Sequence, residues 1–418
     1  MIRSLLSVSL ACFAAALTPA AAFQSLPGLP PETPETPVIQ RALPLDDEDV
    51  RPAQPPAARA AAIAPESPES QPLKRAVPAD DDDEDIPITP EAPKVAANDK
   101  PTGEDALRLQ VFLDEAHFGP GILDGKPGRF TELAVRAWNE ANGHPADDWT
   151  AVTAAARKAV PHPLATAIVP EWAKDWVNPK VPYKDRRGQA ALKRMSYRSL
   201  GEMMAERYHC DRAYLVELNG AAKINALKPR DTILVPNVKA FQIELLSTGG
   251  GYYPPEEALA ARLVVVDTRV NQLRVFEAAP AAVVVEEGEE GPAAAALAKP
   301  NPNRALVAAF PITPGKPKFI RLGIWEIRNI VELPVWRYDQ QLLDTGKRSN
   351  NALTIPPGPN SPVGVIWHGT SKPGIGLHGT SDPETIGRSR SAGCIRLANW
   401  DAVRLPNLIR PGATLEIR

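Results

Sequence analysis

A histidine and a cysteine 16 positions apart, His378 and Cys394, stand in the stretch HGTSDPETIGRSRSAGCIRL, with glycines beside both. A cysteine attacks carbonyl carbon as its thiolate, and a nearby imidazole can take its proton. The pair therefore suits covalent acyl transfer, with Cys394 as nucleophile and His378 as base. Two plainer roles compete. His368, His378 and Cys394 could ligate zinc, although the loop offers no tight ligand pair and no evident fourth ligand. Cys394 could also close a disulfide with Cys210 in an oxidising compartment.

The neighbouring residues favour the acyl-transfer reading. The Gly393-Cys394 turn can offer backbone N–H groups to a developing oxyanion, and the missing side chain at Gly393 lets a substrate approach closely. Arg396 is a planar double donor suited to a carboxylate, with a structural ion pair as the alternative. Ser391 and Gly393 are counted with it as substrate-binding residues. His368 follows Trp367 on a strand by pattern and is either a substrate-binding residue of the cleft wall or a packing residue. A papain-like hydrolase would place cysteine before histidine in the chain, and here the order is reversed.

The rest of the chain must position this pair. Its 418 residues allow two or three domains, and its 46 prolines are about twice the usual share of roughly 5%. A formal net charge of −3 gives no basic field, which argues against nucleic acid as the main partner. Arg3, the apolar run from Leu5 to Leu17 and Ala20-Ala21-Ala22 predict a signal peptide over 1–22. The run is shorter than the roughly 20 apolar residues of a membrane span, so the expected mature protein is exported, to periplasm or cell wall, with no membrane span. Cleavage removes Cys12 and leaves Cys210 and Cys394. Residues 23–100 are rich in proline and alanine, carry an acidic run from Asp80 to Asp85, and read as a disordered tether.

Structure is expected from about Glu104. Leu109, Phe112, Leu113 and Ala116 share a helical face that Gly119-Pro120-Gly121 ends. Asp124-Gly125 makes a turn, and a second helix from about Thr131 buries Leu133, Ala134, Ala137 and Trp138. Ser199 with Glu202 reads as a capping box, Asp211 as a cap for the next helix, and Thr232 to Val235 as a strand. From Arg262 the period changes to that of strands, with a hairpin about Arg269 to Gln272. Residues 278–303 read as a flexible insertion.

Three resemblances follow from these segments. Residues 104–165 resemble the three-helix peptidoglycan-binding domain. Residues 193–238, in strand-helix-helix-strand order, resemble a LysM glycan-binding module, with Tyr197-Arg198 where that family usually opens on Gly-Asp; a scaffold that only packs on its neighbour is the alternative. Residues 262–418 resemble the L,D-transpeptidase catalytic domain of the YkuD family through Gly358 to Gly364, Gly376-Leu377-His378-Gly379-Thr380, Ser381-Asp382-Pro383 with Ile386-Gly387, and Ser391-Ala392-Gly393-Cys394-Ile395-Arg396-Leu397. Together they imply a multidomain α+β protein whose mostly β catalytic domain follows a small helical domain and a βααβ domain. The resemblance further implies acyl transfer on peptidoglycan stem peptides through a Cys394 thioester, with no metal or organic cofactor. It gives Gly379 as the carbonyl that holds the second nitrogen of His378. Trimming of tetrapeptide stems by hydrolysis and non-catalytic wall binding are the alternative functions.

Overall fold

The computed structural model describes residues 100–278 and 304–418, except 318, 346, 390 and 392. The expected signal peptide lies outside the described residues, as do nearly all of the tether and of the 278–303 insertion. The described residues all belong to the unit Val77–Arg418. Among them no helix is long and apolar enough to cross a membrane.

The first elements are three helices: α1 (Gly103–Glu115), α2 (Arg129–Ala141) and α3 (Trp149–Ala159). Their apolar faces close on one another through Leu109, Leu113, Ala134, Trp138, Trp149 and Val152. Asp148 caps α3 by accepting from the Thr150 and Ala151 N–H groups. The α1–α2 loop is held by buried Gln110, whose Oε1 accepts from the Asp124 and Gly125 N–H groups at 3.1 and 2.8 Å. Gly125 takes the positive φ (69°) that the Asp-Gly turn requires.

A unit of two paired strands with four helices between them follows, and its first strand stands earlier than the sequence suggests. β1 (Leu164–Ile168) pairs antiparallel with β2 (Thr232–Pro236), so the unit opens across the limit expected for the helical domain. Between the strands lie α4 (Arg186–Ala190), α5 (Leu200–Arg207), α6 (Arg212–Asn219) and α7 (Ala221–Asn225). Ser199 caps α5 by accepting from the Glu202 N–H, and Glu202 reaches back to the Arg198 N–H at 2.6 Å. Asp211 caps α6.

The C-terminal part is a mixed sheet. After α8 (Glu257–Ala260) come β3 (Leu263–Asp267), β4 (Gln272–Phe276), β5 (Leu306–Pro311) and β6 (Gly323–Glu332). A two-stranded side ribbon, β7 (Trp336–Tyr338) with β8 (Leu353–Ile355), carries α9 (Gln340–Thr345). Then come β9 (Ile366–Thr370), β10 (Gly376–His378), β11 (Ile395–Arg396), α10 (Asn399–Ala402) and β12 (Thr414–Ile417). The eight main strands run in the order β11-β10-β9-β6-β12-β3-β4-β5, with β10–β11 and β12–β3 parallel and the other pairs antiparallel. All five residues of β3 are buried, as a central strand covered on both faces demands.

The three parts share their interior. One apolar cluster joins Leu107 and Leu123 of the helical part, Met203 and Leu215 of the βααβ unit, and Val365 and Trp400 of the sheet domain. Backbone crosses the boundaries too. The segment after α1 bonds to the outer strand β5, Gly119 N–H to Ala309 O at 2.7 Å and Ala309 N–H to His117 O at 2.9 Å.

Candidate active site

β10 and β11 lie side by side in parallel register, Leu377 opposite Ile395 and His378 opposite Arg396. Side chains alternate along a strand, so His378 and Arg396 share one face, and Cys394, two residues before Arg396, joins them. On the other side of β10, Trp367 of β9 pairs with His378 and stacks on its ring, with centroids 5.4 Å apart and 15° between planes. Gly376 is bare for this reason, since a Cβ there would run into the Trp367 ring. Leu377 and Ile395 point the opposite way, into the apolar core.

His378 is buried, and its Nδ1–H lies 2.7 Å from Gly379 O. That bond keeps the proton on Nδ1 and leaves the Nε2 lone pair for other work. Burial, with the Arg396 charge beside it, pushes the imidazole down to about 3. Cys394 is only half-buried as a residue, yet burial of its sulfur pushes the thiol up to about 11 against the opposing pull of the Gly376 N–H and Arg396. The thiol donates to Gly374 O at 3.4 Å rather than to the imidazole. At neutral pH the resting pair is therefore an uncharged thiol and an uncharged imidazole.

The turn before β11 is tightly braced. The Ser391 hydroxyl donates to Cys394 O and accepts from the Gly393 N–H at 3.3 Å. Gly393 has φ 122°, and Gly315 passes so close that a Cβ on it would lie 2.5 Å from Gly393 Cα. Because Ser391 takes the Gly393 N–H, the Cys394 N–H is the group of this turn left without a protein acceptor among the described residues. Arg396 is fixed by its backbone, which exchanges two 2.9 Å bonds with Thr313.

His368 goes elsewhere. Expected along the cleft, it pairs with Leu377 and Ile330 on the core side of the sheet and is fully buried, with Nδ1 3.3 Å from Leu377 O. Strand alternation decides this, since His368 is one residue from the ring-stacking Trp367 and must face the other way. Packing, the second role considered for it, matches this placement. Among the described residues no group of three or more His, Cys, Asp or Glu side chains could hold a metal ion. Cys210 is buried and free, as is the half-buried Cys394.

Behind the histidine lies a buried polar layer centred on Asn399. Asn399 Oδ1 accepts from the Val365 and Thr380 N–H groups, each at 3.2 Å, and stands so near Gly379 that any Cβ there would collide with it. Its amide nitrogen donates to Glu206 Oε1 at 2.8 Å, and the Tyr197 hydroxyl donates to Glu206 Oε2. A second buried set joins His209 Nδ1 to Asp114 Oδ2 at 2.9 Å and Arg404 to the same carboxylate at 2.6 Å.

Comparison with known proteins bears on the C-terminal part. Residues 298–417 match the family model of the YkuD L,D-transpeptidase catalytic domain. The YkuD protein of Bacillus licheniformis, named as an L,D-transpeptidase, is 39% identical over 61 residues, which is 15% of this chain and 37% of that protein. Its namesake in Bacillus subtilis is 39% identical over 59 residues, 14% of this chain and 36% of that protein. The chain thus spans little more than a third of these relatives. Among solved structures, an L,D-transpeptidase from Mycobacterium smegmatis aligns at 15% identity and TM-score 0.26, over 38% of this chain and 58% of that one. L,D-transpeptidase 3 from Mycobacterium tuberculosis aligns at 12% identity and TM-score 0.26, over 46% and 76%. β3 and β4 precede the matched stretch, yet they pair with its strands β12 and β5 in the same sheet.

Proposed function

We propose that this protein is an exported L,D-transpeptidase that cross-links peptidoglycan stem peptides through a thioester on Cys394. The observation that carries the reading is the shared face of β10 and β11, where a histidine with its Nδ1 proton committed to Gly379 O stands beside a half-buried cysteine and an arginine. The match of residues 298–417 to the L,D-transpeptidase domain supports it.

In this mechanism Arg396 holds a carboxylate of the acyl donor. Binding it offsets part of the charge that depresses His378, so the base strengthens when the donor is in place. Cys394 Sγ attacks the carbonyl of the third stem residue while its proton passes to His378 Nε2, and the Cys394 N–H receives the developing oxyanion. Proton transfer accompanies attack, because a thiol near 11 and an imidazole near 3 do not exchange a proton at rest. The C–N bond to the terminal D-alanine breaks, and the leaving amine takes the proton from His378. An amine of a second stem then attacks the thioester, gives its proton to His378, and releases the cross-linked product with the thiol restored.

The purified protein is given a disaccharide tetrapeptide, and products are read by mass spectrometry. Dimers joined through two third-position residues, with some tripeptide, are expected. Tripeptide alone at high acceptor concentration would make the protein an L,D-carboxypeptidase, and no product from a folded protein would remove the catalytic reading.

A further inference from the structure

We infer that Glu206, on α5 of the βααβ unit, is a positioning residue for the catalytic histidine, acting through Asn399 on the Gly379 peptide that fixes its tautomer. The inference rests on the reading of His378 as the base.

The chain of contacts is short and buried throughout. Glu206, Asn399, Gly379 and His378 are all buried, and Tyr197 at the far end is 2% exposed. Asn399 has one orientation that satisfies its surroundings. Its oxygen must face the Val365 and Thr380 N–H groups, because both are donors, and its nitrogen must then face acceptors, which are Glu206 Oε1 at 2.8 Å and Pro359 O at 3.4 Å. Glu206 is the nearer of the two and the only side chain. Without it the Asn399 amide can turn over, and its NH2 would then confront two N–H donors. The Val365–Thr380 clamp encloses Gly379, whose carbonyl accepts the His378 Nδ1 proton. A shift of that carbonyl frees the imidazole to rotate or to carry its proton on Nε2, where it is no base for Cys394.

Glu206 is placed with care. Ser199 and Glu202 start α5, Tyr197 donates to the outer carboxyl oxygen, and Met204 and Ala205 bury the helix face beside it. The same unit touches the catalytic domain again through Asn360, which takes a bond from Arg198 at 2.8 Å and gives one to Glu202 at 2.7 Å. A module that only carried the enzyme to the wall would have no use for a buried carboxyl aimed at the base's loop. Burial raises the Glu206 carboxyl to about 8, so its charge state changes just above neutral pH.

The test reads acylation of Cys394 by a carbapenem, followed by intact mass, which needs no wall binding. Glu206→Leu should slow acylation by about tenfold or more, a loss equal to one good hydrogen bond. Asn399→Asp should do the same, because a carboxyl then replaces the amide that donates to Glu206. The double variant Glu206→Gln with Asn399→Asp should regain most of that loss, since the amide now donates from the other side. In the protein carrying Cys394→Ala, which keeps the network intact, the ¹⁵N signals of His378 should report the Nδ1–H tautomer, and adding Glu206→Leu should move them toward the Nε2–H form. Wild-type acylation rates in folded Glu206→Leu, a double variant no faster than Asn399→Asp, or ¹⁵N signals of His378 that are the same with and without Glu206→Leu would each overturn the inference. The double variant keeps every polar partner of the network and decides the matter even where Leu at 206 prevents folding. No acylation of the unmodified protein would instead strike the reading of Cys394 itself.

Discussion

Two histidine and cysteine sets lie in this molecule, and they are built in opposite ways. His209 and Cys210 are neighbours in the chain; His378 and Cys394 meet across two strands. His209 has the carboxylate partner that catalytic histidines often have, Asp114 at 2.9 Å, and stacks on Trp400 at 5.4 Å. His378 has only a backbone carbonyl. The first set nevertheless lacks any route to chemistry, because Cys210 is 1% exposed and burial drives its thiol far above the ordinary value. A carboxylate beside a histidine here marks a joint between modules, with Arg404 completing it. What marks the proposed reactive pair is a cysteine only half-buried, an imidazole with its Nδ1 committed to a carbonyl, and a cation alongside.

The contrast can be broken at each member. Cys394→Ala should abolish carbapenem labelling outright, while Cys210→Ala should leave its rate within about twofold and cost about 1 kcal/mol of stability. Labelling that follows Cys210 would invert the comparison. His378→Gln should lower the acylation rate by about 10² to 10⁴, the usual worth of a general base, whereas His209→Gln should shift the melting temperature and leave the rate in place. Next in size, Arg396→Ala should weaken acylation by about tenfold to hundredfold without altering wall binding, measured by pulldown on isolated peptidoglycan. Unchanged kinetics would assign Arg396 to structure.

The joint is sharpened by stability measurements. Burial would raise the Asp114 carboxyl, but Arg404 and His209 overcome it and hold the group well below the usual range. Arg404→Met leaves that buried carboxylate without its main partner and should cost roughly 3 to 5 kcal/mol in denaturant unfolding. A loss under about 1 kcal/mol would show that the joint is not what binds the modules.

The smallest effect expected is on pH dependence. Asp114 titrates lower folded than unfolded, so its stabilising contribution is complete above about pH 4 and is lost as pH falls below that. His378 and His368, held down to about 3 and about 4 by burial, also cost stability as pH falls below 6.5. Glu206 and Asp401 are raised to about 8 by burial, so the folded state holds more protons and loses stability as pH rises toward 8. Glu384, also raised by burial, acts in the same direction. Stability should therefore fall between pH 6.5 and 8, by at most about 1.4 kcal/mol per pH unit for each group, the melting temperature should fall with it, and Asp401→Asn should flatten part of the slope. A melting temperature that rises across this window would contradict the assignment.

The site was the most legible part of the chain and the joint the least, for one physical reason. His378, Gly379, Ser391, Gly393, Cys394 and Arg396 lie on two adjacent strands and the loop between them, so local spacing carries their geometry. Asp114 bonds residues 95 and 290 positions away, and Asn399 meets Glu206 across 193 positions. No local pattern encodes such pairs. The helix caps at Ser199 and Asp211 stand where their sequence placed them. β1 is not legible in the sequence because LATAI holds few β-branched residues and begins within the 104–165 segment that reads as the helical domain. His368 carries two readings in the sequence because a histidine after a tryptophan suits cleft or core alike until pairing with Leu377 fixes its face.

The two hydrogen bonds between the His117–Gly119 turn and Ala309 have a consequence for how copies of the protein meet one another. β5 is the last strand of the eight, and an uncovered last strand offers its spare N–H and C=O groups as a template on which the next chain can extend the sheet. The turn after α1 occupies that template within the molecule itself. Trimming the chain to the sheet domain would bare it, and the first property lost would be colloidal: the shortened molecules would self-associate edge to edge, however sound their chemistry.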